Sequence, residues 1–110
     1  MELNAYRIMW IMVFFDLPVK TNSERKRYAQ FRKNLMKDGF EMLQFSVYIR
    51  HCSSRENKNV HVKRVKEFLP KEGNVGILYV TDQQFGTMEI FYGKQKAGKE
   101  NVKPDQLELF

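Results

Sequence analysis

Residues Ile8–Val19, IMWIMVFFDLPV, set the frame for the rest of the chain. Ile8 through Phe15 carries no charge, and Asp16 and Pro18 then close the run. An apolar run of this length, stopped by a turn signal, predicts a fully buried strand. A strand covered on both faces belongs at the centre of a sheet. The run falls far short of the roughly 20 residues that cross a membrane. No small-residue cleavage site follows it, so it does not read as a signal peptide. Asp16 sits at the lip of the strand. A carboxylate there either bonds into the Leu17-Pro18 turn or does chemistry.

Upstream, residues 1–7 read as a lead-in. Downstream, the residue before a proline is pushed to extended geometry, so the chain leaves the strand at Leu17-Pro18. Thr21 with Glu24 three residues on predicts a capping box. The helix then runs to about Asp38, with Gly39 as its stop. Tyr28, Phe31 and Leu35, with Met36 beside them, form its apolar stripe. Between Lys20 and Asp38 there are seven cationic side chains against Glu24 and Asp38. Nearly all of the net charge of +6 is carried here. A solvated helix face usually mixes signs for i,i+4 pairing. One dominant sign points instead to phosphates, contacted by Arg25, Lys26, Arg27, Arg32 and Lys33. Such contacts position a polyanion without reading its bases.

Residues 40–52, FEMLQFSVYIRHC, are rich in aromatic and β-branched types and predict extended chain. One bent strand and a tight hairpin fit equally well. Phe45 and Tyr48 are aromatic candidates for stacking on bases, and core or interface packing is the simpler role for both. Ser53 or Ser54 can cap a second helix over 55–69, with Val62, Val65, Phe68 and Leu69 on one side and Pro70 at its end. Residues 75–81, VGILYVT, predict another buried strand, and 88–92, MEIFY, a short fifth one. The stretch 93–104 is polar and lysine-rich, a linker to the closing QLELF. The chain thus divides into a domain over 1–92 and a basic linker with tail over 93–110.

The order strand, helix, strand or strands, helix, strand predicts an α+β fold. Its best match is the ferredoxin-like βαββαβ plait with an additional C-terminal strand. Two helices would cover one face of the antiparallel sheet. The other face would be open, and its aromatic content would have to be covered by nucleic acid or by a second copy, of which pairing into a symmetric homodimer is the commoner solution. With 110 residues and 43% hydrophobic content the chain suits one globular domain. Cys52 is the only cysteine, so no intrachain disulfide can form, which suits a reducing cytoplasm. One cysteine and two histidines also make a zinc site in a single chain a poor prospect.

Three stretches, VFFDLP, ERKRYAQFRKNL and DGFEMLQFSVYIR, together resemble the CRISPR-associated Cas-two adaptation family, in the form found in type II systems. The resemblance spans residues 6–92. It implies the ferredoxin-like fold and a homodimer that bridges two dimers of the Cas-one integrase. It also implies binding of a double-stranded prespacer during spacer acquisition. Family members have been described as metal-dependent endonucleases, including endoribonucleases acting on single-stranded RNA. In those, the aspartate ending strand one binds Mg²⁺ across the dimer axis, and Asp16 is the residue that matches. Arg25 and Arg27 match positions implicated in nucleic-acid contact, and Tyr48 matches an aromatic position. Many members carry tyrosine where this chain has Phe15.

One carboxylate per chain is thin for a metal nuclease, since phosphodiesterases hold their ions with several acidic ligands. A pair of Asp16 residues from two copies could share one Mg²⁺. Three functions therefore compete: a scaffold of spacer acquisition, a nuclease whose activity is the function, and a stand-alone RNA-binding module. In the tail, Leu107, Leu109 and Phe110 form a partner-docking candidate. QLELF suits strand addition to the integrase or to the sister subunit. It also looks like the short peptide by which bacterial proteins grip the sliding clamp.

Overall fold

In the computed structural model, which describes residues 7–97, the predicted plait is present. The elements are β1 (Met9–Asp16), α1 (Asn22–Lys37), β2 (Glu41–Gln44), β3 (Val47–Cys52), α2 (Arg55–Glu67), β4 (Asn74–Thr81), α3 (Asp82–Gly86), β5 (Phe91–Tyr92) and β6 (Gln95–Lys96). The main sheet has the order β2-β3-β1-β4. Strand β1 is central and antiparallel to both neighbours, with Val13 opposite Tyr48 on β3 and Ile77 on β4.

The apolar run of β1 conceals a strict alternation. Met9, Ile11, Val13 and Phe15 turn to the helices and join Phe31 and Leu35 of α1, Val62 and Val65 of α2, and Tyr48. Each large side chain buried in this way contributes roughly 1.5–3 kcal/mol. Trp10, Met12, Phe14 and Asp16 occupy the opposite face. There Trp10 is covered, but Phe14 is 47% exposed and Asp16 is exposed. The expectation of a strand buried on both faces therefore holds for only one end of it.

Trp10 is covered by an element absent from the predicted order. After Thr81 the chain turns into α3, capped by Thr81 and Gln84. Phe85 stacks on Trp10 at 4.0 Å, and Trp10 Nε1 donates to Asp82 Oδ1 at 2.6 Å. Leu43 and Ile49 complete this second, smaller core. Of the expected strand over 88–92, only Phe91–Tyr92 is extended. It pairs with Gln95–Lys96 in a separate ribbon rather than joining the main sheet. Strand β4 is not buried as expected, because it lies at the sheet edge with Leu78 and Tyr79 half exposed. The Lys58 ammonium lies 3.9 Å from the centre of the Tyr79 ring, covering part of it. The tail residues Leu107, Leu109 and Phe110 lie outside the described residues.

The choice left open at 40–52 resolves to a hairpin. Phe45 and Ser46 form the turn, with Ser46 at φ 62°, an uncommon conformation for a residue with a side chain. Helix α1 begins at the predicted capping box of Thr21 and Glu24. At its other end Gly39 takes φ +88°, and Phe40 N–H donates back to Leu35 O. Asp38, at the cap between them, places a carboxylate at the negative end of the helix dipole. The charge is offset from α2: Asp38 Oδ2 lies 2.8 Å from His61 Nδ1, and Asp38 Oδ1 accepts from Arg64 at 2.9 Å. Arg50 of β3 donates to the Asp38 carbonyl at 2.7 Å.

Candidate nucleic-acid interface

Asp16 ends β1 on the face away from the helices, opposite Asn74 of β4. Gly73, at φ +91°, brings its backbone against this strand end: a Cβ there would lie 2.8 Å from Asp16 O. A cleft of about 290 Å³ opens beside the carboxylate, lined by Phe14, Phe15, Asp16, Phe45, Ser46, Val47, Asn74 and Gly76. The turn reading of Asp16 is not met, since its carboxylate makes no hydrogen bond or ion pair among the described residues. An exposed carboxylate without a partner remains available to a cation or a substrate.

A larger depression of about 440 Å³ lies in the helical layer, between Asn34, Lys37 and Asp38 of the first helix end and Arg64, Glu67 and Phe68. Its carboxylate Asp38 is already committed to His61 and Arg64, so this groove offers no free acid from that residue.

The five predicted phosphate contacts divide into two sets. Arg25 folds back on the entry loop, donating to Val19 O and Lys20 O at 2.9 Å and to Asn22 Oδ1. Arg27 lies 3.6 Å from Glu72. Arg32 donates from Nε to the Tyr48 hydroxyl at 2.5 Å, and that bond raises the guanidinium pKa further. Lys26 and Lys33 instead point outward, with no ion pair among the described residues. Lys37 joins them. Positions i, i+7 and i+11 fall within about 40° of one another on a helix, so the three make one strip about 16 Å long. Lys37 belongs to the charge excess of the helix but not to the five predicted contacts. Helical spacing alone would have included it.

Tyr48 cannot stack on a base. It is fully buried, with its ring beside Phe15 at 5.8 Å and its hydroxyl on Arg32. The reason is register: Tyr48 pairs with Val13 and turns to the helices with it. Phe45 is the reverse case, 79% exposed at the hairpin tip. Asn74, Ser46 and Gly76 were not foreseen at the site. Asn74 and Gly76 follow from the antiparallel register of β4, which opposes them to Asp16 and Phe14.

Among the described residues no group of three acidic, histidine or cysteine side chains could hold a metal ion. The donor set beside Asp16 is therefore half of a site at most. Mg²⁺ accepts such an arrangement, since it takes one or two carboxylates and keeps several waters. No described helix is long and apolar enough to cross a membrane.

An antiparallel plait with a carboxylate at the end of its central strand and a cationic first helix thus defines the chain structurally. Residues 9–88 match the family model for CRISPR associated protein Cas2. A protein of Flavobacterium psychrophilum named CRISPR-associated endoribonuclease Cas2 is 57% identical over 99% of this chain and 94% of its own length. Proteins of the same name from Parvibaculum lavamentivorans and Paracidovorax avenae are 49% and 42% identical, over 93% and 98% of this chain and 100% and 99% of theirs. The chain belongs to the CRISPR-associated Cas2 family.

Proposed function

We propose that this chain is a nucleic-acid-binding scaffold for CRISPR spacer acquisition, working as a symmetric homodimer that bridges dimers of the Cas-one integrase around a double-stranded prespacer. The observation that carries this reading is the strip of Lys26, Lys33 and Lys37, which is exposed and unpaired among the described residues. Charges that hold up the fold are spent on partners, as Arg25 and Arg27 are. Charges left free along one helix suit a polyanion of any sequence. Pairing of two copies is supported by the open sheet face, where Phe14 and Leu78 are half exposed and Met12 and Val47 beside them are partly buried.

A second reading has its own support. The named relatives are called endoribonucleases. Two copies paired through the open face would contribute two Asp16 carboxylates, which together could hold one Mg²⁺. When bound, that ion would polarise a phosphate oxygen of single-stranded RNA or of duplex DNA. The protein's own part is to place the carboxylate on a rigid strand end and leave it unbonded.

Asp16→Ala and the pair Lys26→Glu with Lys33→Glu separate the two. Both are run in a spacer-acquisition assay beside purified cleavage assays with Mg²⁺ or EDTA. The scaffold reading expects acquisition to survive Asp16→Ala and to fail with the reversed lysines. Loss of both acquisition and cleavage with Asp16→Ala would make the nuclease primary. Lys26 and Lys33 serve the test better than Arg25 and Arg27, whose replacement would disturb the entry loop and the Glu72 pair.

A further inference from the structure

We infer that Phe45, which lines the Asp16 cleft, is a stacking platform for one unpaired nucleobase. The inference rests on the nucleic-acid reading above and specifies what that cleft accepts.

Phe45 is the most exposed large apolar side chain among the described residues, at 79%. An exposed ring on a loose loop would carry little meaning, but this one is held. Its neighbour Ser46 adopts φ 62°, a conformation that costs free energy and persists only where its surroundings fix it. The surroundings do so from two elements. Phe15 N–H donates to Ser46 O at 3.1 Å, tying the turn to β1. The Tyr28 hydroxyl lies 3.1 Å from Ser46 Oγ, tying it to α1. The Tyr28 ring lies 6.1 Å from the Phe45 ring with 25° between their planes, so one face of Phe45 is supported. The remaining ring surface is open to solvent.

Phe45 and Asp16 line the same cleft. Its volume of about 290 Å³ is near the lower end of small-molecule sites. A base resting on Phe45 therefore brings its sugar and phosphate towards the cleft that holds the carboxylate. A base inside a duplex is stacked on both sides and cannot use such a ring, whereas a splayed base can. Aromatic stacking tolerates any base, in keeping with a surface that offers no base-edge code.

The test uses the full chain, a fluorescein-labelled uridine 12-mer and a labelled 12-base-pair DNA duplex. Phe45→Ala and Phe45→Leu are expected to weaken binding of the single strand at least about fivefold and to leave duplex binding within twofold. Phe45→Trp retains affinity, and its added indole emission is quenched by the single strand. Buried Trp10 in the unaltered chain gives no such response. Light scattering on every variant reports the oligomeric mass. Unchanged single-strand affinity in both Phe45→Ala and Phe45→Leu overturns the inference while leaving the scaffold reading intact. Loss of oligomeric mass together with affinity overturns it too, making Phe45 a contact between copies. If the unaltered chain binds neither probe, both readings fail.

Discussion

The Phe14 ring lies over Gly76, in the space that a Cβ at position 76 would occupy. The two residues face each other across β1 and β4, so the ring fills a gap left by the missing side chain. In the unaltered chain, Gly76→Ala should cost about 1 kcal/mol, because the ring must leave its seat. With Phe14→Ala already in place, the same change should stabilise by roughly 0.5–1 kcal/mol, since alanine restricts the unfolded strand. Thermal melts of the four chains of this cycle measure the reversal of sign.

The Glu24 carboxylate accepts from Thr21 N–H and Lys20 N–H at 2.9 Å, and these bonds, led by Thr21, lower its pKa from 4.5. A carboxylate with a depressed folded pKa binds its proton more readily in the unfolded chain. Its contribution to stability is therefore present above 4.5 and lost as pH falls through the folded value. Glu24→Gln keeps an acceptor without the titration. Urea midpoints of the two chains should diverge above 4.5 and converge in acid.

Much of this was legible in the sequence. The capping box at Thr21 and Glu24, the stripe of Phe31 and Leu35, and the glycine stop at 39 each rest on local chemistry, and each is where the spacing put it. What escaped was tertiary. In β1 both faces are apolar, so no alternation was visible to say that odd positions meet helices and even ones meet a partly open face. In the hairpin, the turn residues are Phe45 and Ser46, neither of them a usual left-handed type. For Tyr48 core packing was the simpler reading and it holds, while the stacking alternative is ruled out only by the register that pairs it with Val13. The turn into α3 did have a signal, the Thr81 and Gln84 capping box, which was masked by the apolar residues that follow. The place of the Asp16 carboxylate at the end of β1 was readable from sequence. Its neighbours Asn74 and Gly76 required the register of β4.

For duplex DNA, log affinity should fall linearly with log salt, by about 0.9 per phosphate neutralised. Replacing Lys26, Lys33 and Lys37 by glutamine should flatten the slope by about that amount for every phosphate no longer neutralised. The drop should be similar for unrelated sequences. Titrations at three salt concentrations on two duplexes of different base composition measure both effects.

Asp38 and His61 are almost wholly buried together, so removing the acid leaves a buried ring nitrogen without its partner. Asp38→Ala should cost about 2 kcal/mol, seen as a lower urea midpoint. Arg64→Ala should cost much less, because that side chain is 57% exposed.

The Asp38 bonds also bear on the order in which the molecule assembles. Its partners lie 12, 23 and 26 residues further along, on β3 and α2. While α1 forms alone, this carboxylate opposes the dipole of its own helix, with only the exposed Lys37 beside it in the chain as an offset. Relief comes only once the hairpin has closed and α2 has docked, when the entropy of those loops has been spent. The node is therefore a late lock. Loosening it should leave the refolding rate almost unchanged and appear mainly as faster unfolding, which sets how long a folded molecule survives.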